Sequence, residues 1–223
     1  MPKTAGNSFL DALKVRFGPH LKQDYNDMIR IQEYLAGQIP AELVSEDLIV
    51  DENEFDKLNC VHGHFLAKKY AHYLVRNQAM FVTWLRDPVE RLVSHYNFFV
   101  RSYDPLTAGP LFTRIIEESW TLEMFCFSEE FRNLYSKYLW GFPCKNFEFI
   151  GIVENYNEDL RWFSRIYLNK DVPISKINCA PKSTEARGNV DPGFRRAVEN
   201  FHSKDVELYE FALAKRWELR GSL

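Results

Sequence analysis

The chain lacks any run of about 18 apolar residues, the length that a membrane-spanning helix requires. Its four cysteines, Cys60, Cys126, Cys144 and Cys179, lie far apart and form no Cys-x-x-Cys pair. That pattern argues against a cysteine-built zinc site and favours reduced thiols. No Asn-x-Ser/Thr acceptor occurs, and no signal peptide stands ahead of the first motif. Both absences favour a cytoplasmic protein over a secretory one. Basic residues are not in excess: 28 Lys and Arg face 31 Asp and Glu, for a formal net charge of −3. No nucleic-acid partner is implied by that balance, although a local basic patch stays open. Internal repeats and low-complexity tracts are also missing. What remains is 46% hydrophobic and 15% aromatic, ample for one packed core within a single domain, residues 1–223.

The order of patterns predicts an α/β fold. A helix is expected after residue 8, because Phe9, Leu10, Leu13 and Phe17 recur at spacings of three and four before Gly18-Pro19 stops it. Residues 20–57 are polar and read as surface helix and loop, with an acidic stretch from Glu46 to Asp56 that reads as a solvated face. Strands are expected over 58–65, 79–85 and 147–153, with helices between them. The continuous apolar run 79–85 suits a strand covered on both faces, as in a parallel sheet. It ends at Arg86-Asp87-Pro88, where Asp87 is placed to cap a helix, Pro88 fits its first position and Glu90 its third. Two short helices are expected over 111–140, a loop over 169–193 and two closing helices, the second from about Ser203. Ligands of such sheets bind at the carboxyl ends of the strands, where the motifs fall.

Three segments carry candidate chemistry. Pro2-Lys3-Thr4-Ala5-Gly6-Asn7-Ser8 reads as an anion-binding loop running into a helix. Gly6 lets the backbone approach an anion, free amides at the helix start point at it, Lys3 adds a charge, and Thr4 or Ser8 adds a hydroxyl. Lys-Thr-x-Gly also occurs in ordinary turns. The loop is not the Walker pattern, because Lys3 precedes the glycine, which counts against an ATPase or GTPase. Such a loop normally follows a buried strand, yet only Met1 precedes Pro2; the expectation is that a first strand belongs upstream. Arg86, at a strand-to-helix junction, and Ser94, eight residues on, suit a phosphate monoester. The plain alternative is an Arg86–carboxylate pair and an ordinary helix serine. His62-Gly63-His64 ends a strand, so both imidazoles face one side and Gly63 leaves room for a substrate. A histidine titrating near neutrality suits removal of a hydroxyl proton. A pair of structural histidines or a His-x-His metal pair would read the same way. His72, His95 and His202 are expected to be structural.

The pair "PKTAGNSF" and "RDPVERLVSHYNFF" resembles the nucleotide signatures of 3′-phosphoadenosine 5′-phosphosulfate (PAPS)-dependent sulfotransferases, and most nearly the heparan sulfate and uronosyl 2-O-sulfotransferase branch. "FIGIVENY" and Leu208-Tyr209 are similar too; residues 19–57 carry none of the likeness. The resemblance implies a single-domain, P-loop-like three-layer fold with a mostly parallel sheet. It assigns Lys3, Thr4, Ala5, Gly6, Asn7 and Ser8 to the 5′-phosphosulfate of PAPS and Arg86 and Ser94 to the 3′-phosphate. It makes His64 the base, with His62 as partner or alternate, and needs no metal. Lys182 and Arg187, in the late loop, are candidates to close over the nucleotide. The implied acceptor is a hydroxyl of a sugar or polysaccharide. A compartment follows only conditionally: cytoplasm for a complete chain, the Golgi lumen for a fragment of a membrane-anchored enzyme. A silent nucleotide- or glycan-binding remnant and a P-loop small-molecule kinase are the competing readings. Arg101, Tyr103 and Trp140 are further candidates for an acceptor groove, without a spacing argument behind them.

Overall fold

The structure, a computed structural model, describes residues 1–46, 57–169 and 190–221. Lys182 and Arg187, like Cys179 and most of the acidic stretch 46–56, lie outside the described residues.

Helix α1 (Gly6–Phe17) forms as its apolar spacing predicts, burying Phe9, Leu10, Ala12 and Leu13. Gly18, at φ 51°, ends it by returning its amide to the Lys14 carbonyl. The chain then forms a short strand, β1 (Leu21–Asp24), where the sequence predicts only helix and loop. β1 pairs in parallel with β2 (Cys60–Gly63), from Leu21 opposite Cys60 to Asp24 opposite Gly63. Between them lie α2 (Met28–Leu35) and α3 (Ala41–Glu46). After β2 a 3₁₀ turn (Ala67–Tyr70) leads into α4 (Ala71–Val75).

A second parallel pair holds the middle of the core. β3 (Val82–Leu85) runs beside β4 (Phe149–Ile152), with Val82 opposite Phe149 and Leu85 opposite Ile152. Both faces of this pair are covered. Leu85, Ile150 and Ile152 pack with Tyr135, Phe142 and Ala212. Trp84 and Phe149 pack instead with Phe9, Leu13 and Phe163. Each such apolar side chain, fully buried, contributes about 1.5–3 kcal/mol. Gly151 is required there: a Cβ on it would meet the Trp84 ring at 2.4 Å.

Helix α5 (Pro88–Ser102) leaves β3 through the expected cap, with Asp87 accepting the Glu90 amide at 2.9 Å. Three short helices follow where two are expected: α6 (Pro110–Glu117), α7 (Leu122–Cys126) and α8 (Leu134–Tyr138). They are separated by Ser119 and Asn133, both in the left-handed region, and by Thr121, which caps α7. After β4 come α9 (Tyr156–Phe163) and a π-helical turn over Ser164–Leu168. The chain closes with α10 (Pro192–Phe201) and α11 (Ser203–Gly221). Buried Arg216 of α11 pairs with buried Asp159 at 2.9 Å, and Asp159 accepts the Ile152 amide at 2.8 Å, so α11 is tied to the end of β4. The architecture is α/β, with short parallel sheets of two strands each. Among the described residues no helix is long and apolar enough to cross a membrane.

Candidate functional site

The site starts from a strained loop. Lys3 (φ 64°) and Ala5 (φ 61°) both adopt left-handed backbone, which costs a non-glycine residue about 1–2 kcal/mol. Alternation of this kind turns successive amides toward one concavity, the shape that binds anions. Ala5 also occupies the cap position of α1 and offers no side-chain acceptor for the first helical amides. Gly6 has open space where a Cβ would stand. Asn7 is exposed and Ser8 is half-buried at the same helix start. Thr4 is placed differently: it is buried, and its hydroxyl donates to the Met1 carbonyl at 3.0 Å, so it closes the loop from within.

Lys3 reaches across to α5. Its Nζ lies 4.3 Å from the centre of the Phe98 ring. Burial lowers the pKa of its amine, and the nearby charges of Arg101 and Arg86 lower it further. Three cations from two segments therefore share one region. Phe98 and Arg101 stand three residues apart on one helix face, so the Arg101 charge lies on the side of α5 that Lys3 approaches. Arg86 sits at the β3-to-α5 junction with its side chain about three-quarters buried. Glu90 approaches it only to 4.0 Å. That carboxylate is engaged by Arg195 at 2.9 Å, and Arg195 also holds Asp87 at 3.1 Å. Ser94 is half-buried, two turns along α5.

The histidines approach from the other sheet. The His64 amide donates to the Asp24 carbonyl at 3.1 Å, so its backbone is fixed by β1. Its ring stands edge-on to Tyr25, with centroids 5.4 Å apart. His62 packs near Phe9 at 6.2 Å, and its ring hydrogen-bonds the Gly6 backbone; its Nδ1 has no partner. His62 thus touches the loop that carries Lys3, while His64 is held by β1 and Tyr25. Burial pushes His62 down to about 4 and His64 to about 3, with neighbouring positive groups adding to the effect. Both imidazoles are neutral at physiological pH and hold a lone pair for a proton. An anion placed beside them raises their basicity toward the useful range.

Gly63 is explained by its neighbour strand. A Cβ there would stand 1.6 Å from the Asp24 carbonyl oxygen, so the glycine makes room for β1. Asp24 is itself locked: its carboxylate accepts from Tyr70 Oη at 2.5 Å and pairs with Lys69 at 2.8 Å, while Lys69 also bonds Asp27 at 2.8 Å. Those donors hold the Asp24 carboxyl below its ordinary pKa although burial opposes them.

Two buried polar residues of α5 stand out beside the apolar core. His95, expected to be structural, is 7% exposed and packs against Phe99, Phe125 and Phe131, yet its pKa is held well below the ordinary value by burial and by the charges of Arg91, Lys3 and His64. Its Nδ1 has no partner. Arg91, one turn earlier on the same face, is fully buried with all three guanidinium nitrogens lacking a hydrogen-bond partner. Its ring neighbour is Tyr135, 5.5 Å away. The i, i+4 spacing of these two polar residues on an otherwise apolar face was the available signal. Of the remaining candidates, Tyr103 packs on Phe112 and Trp140 on Lys68. Among the described residues no group of three His, Cys, Asp or Glu could hold a metal ion.

No family model, curated protein or solved structure matches the chain.

Proposed function

We propose that the chain is a PAPS-dependent sulfotransferase that transfers a sulfuryl group to a hydroxyl, with a sugar as acceptor. The observation that carries this reading is Lys3 reaching Phe98 of α5, the helix that bears Arg101 and begins after Arg86, with the neutral imidazole of His62 packed near Phe9 of α1. A nucleotide with phosphate groups at both ends needs cations from two separate segments, and this arrangement supplies them. The reading takes the two parallel pairs as parts of one P-loop-like sheet.

The residues then divide the work. The α1 amides and Lys3 hold the 5′-phosphosulfate, and Arg86 with Ser94 holds the 3′-phosphate. His64 accepts the acceptor's hydroxyl proton as its oxygen forms a bond to sulfur. The bond from sulfur to the bridging phosphate oxygen breaks, and its electron pair leaves with the nucleotide, 3′-phosphoadenosine 5′-phosphate (PAP). Lys3 stabilises the charge that grows on that oxygen. His62, hydrogen-bonded to Gly6, links the base strand to the phosphate loop.

Calorimetric titration with PAP in the absence of magnesium tests the proposal. Saturable binding that weakens in Lys3→Ala and in Arg86→Ala is expected. A strict need for magnesium would favour a kinase, and no binding would leave a silent remnant. His64→Ala should retain PAP affinity and lose turnover with PAPS; near-full activity would remove His64 from the base role.

A further inference from the structure

The Arg86-Asp87 turn is held by side chains from distant elements. Tyr135 of α8 grips both backbone groups of Arg86: its hydroxyl accepts the Arg86 amide at 3.0 Å and donates to the Arg86 carbonyl at 2.6 Å. Tyr135 is completely buried, and burial raises its pKa, so the phenol stays protonated and able to donate. Its own amide rests on both carboxylate oxygens of Asp205, at 3.0 and 3.1 Å, and Asp205 is completely buried in α11. A second path reaches the next residue. The Asp87 amide donates to Glu154 at 3.1 Å, and Tyr209 of α11 donates to the other oxygen of Glu154 at 3.0 Å. The last helix therefore supports the turn twice, through Asp205 and Tyr135 and through Tyr209 and Glu154.

We propose that Tyr135, anchored by Asp205, is a positioning residue that fixes Arg86 for recognition of the nucleotide's 3′-phosphate. The proposal rests on the sulfotransferase reading. A guanidinium makes two parallel bonds to a phosphate only when its backbone origin is fixed. Arg195 complements this by holding Asp87 and one oxygen of Glu90, which leaves Arg86 only a long ion pair, at 4.0 Å, with the other oxygen of Glu90. A neutral phenol can satisfy a carbonyl and an amide at once, and the half-buried turn would otherwise lose both of these partners.

Tyr135→Phe tests this, since the ring is kept and only the hydroxyl is lost. Affinity for PAP, measured by calorimetry, should fall about tenfold, whereas affinity for adenosine 5′-monophosphate, which lacks the 3′-phosphate, should not change. In an Arg86→Ala background Tyr135→Phe should cause no further loss. Amide hydrogen exchange at Arg86 should quicken in the variant, a readout that needs no nucleotide. Should Tyr135→Phe fold poorly, Glu154→Gln gives the same affinity readouts from the second path, with amide exchange followed at Asp87. Equal weakening toward both nucleotides would show a general fold defect and overturn the proposal, as would unchanged PAP affinity. If the wild-type chain binds no PAP, the functional reading fails instead; unchanged exchange at Arg86 would then overturn the clamp independently.

Discussion

Replacing Gly63 with alanine should separate the strand that carries His64 from its partner. The new Cβ would stand 1.6 Å from the Asp24 carbonyl oxygen and 2.5 Å from its carbon, whereas real side-chain carbons stay beyond 3.0 Å. Backbone, not a flexible side chain, must give way, by more than an ångström. The His64 amide to Asp24 carbonyl bond at 3.1 Å is lost first, along with the adjoining β1–β2 pairing. Each such bond contributes about 1 kcal/mol, and displacing the buried Asp24 carboxylate from Lys69 and Tyr70 adds about 2 kcal/mol more. The expected loss is about 3–5 kcal/mol, a large share of the 5–15 kcal/mol typical of a domain, so urea denaturation should show it plainly. A loss below about 1 kcal/mol would refute the claim that Gly63 exists for strand approach.

Gly6→Ala should behave in the opposite sense. Nothing lies within 4 Å of its Cβ position and the residue starts a helix, so thermal stability should hold or rise by up to about 1 kcal/mol. PAP affinity should nevertheless fall, because the methyl narrows the backbone's approach to the anion; a variant that binds PAP as tightly as wild type would contradict the loop assignment. Acid should destabilise the fold through buried histidines. His202, completely buried, donates to the Cys126 carbonyl at 2.7 Å and accepts the Asn133 amide at 3.2 Å, a pattern only the neutral ring satisfies; burial lowers it to about 4. The unfolded chain protonates near 6.5, so stability is fully present above that pH and is lost as pH falls toward 4, by up to about 1.4 kcal/mol per pH unit for each such histidine. Asp205, raised by burial to about 6, acts in reverse: its native form takes a proton before the unfolded form does, and this offsets part of the acid loss. Asp205→Asn should therefore steepen the fall in melting temperature between pH 6 and 4; an unchanged slope would contradict this linkage.

The parts that could be read in the sequence are those written in local pattern. Helix α1 follows from Phe9, Leu10 and Leu13, and the β3–α5 junction from Asp87, Pro88 and Glu90, because caps and apolar periods act over a few residues. β1 escaped because Leu-Lys-Gln-Asp has no alternation of apolar residues and only Asp24 is buried. Its place is set instead by the gap at Gly63 and by Lys69, which lies 42 positions beyond Asp27. Lys3 and Arg86 stood out as motif residues, while their proximity and that of Arg101 needed the fold. The supports of Arg86 were illegible for the same reason: Tyr135 is 49 residues away, and Glu154 is 67 from Asp87. Neither carries a local signature of that task.

A crystal structure of the chain with PAP tests the central claim most directly. The 5′-phosphate should rest on the α1 amides with Lys3, and the 3′-phosphate should take two hydrogen bonds of about 2.8 Å from Arg86, with the His64 ring facing the space beyond the 5′ end. Both phosphates gathered at a single cation, or a nucleotide bound away from Lys3 and Arg86, would contradict it.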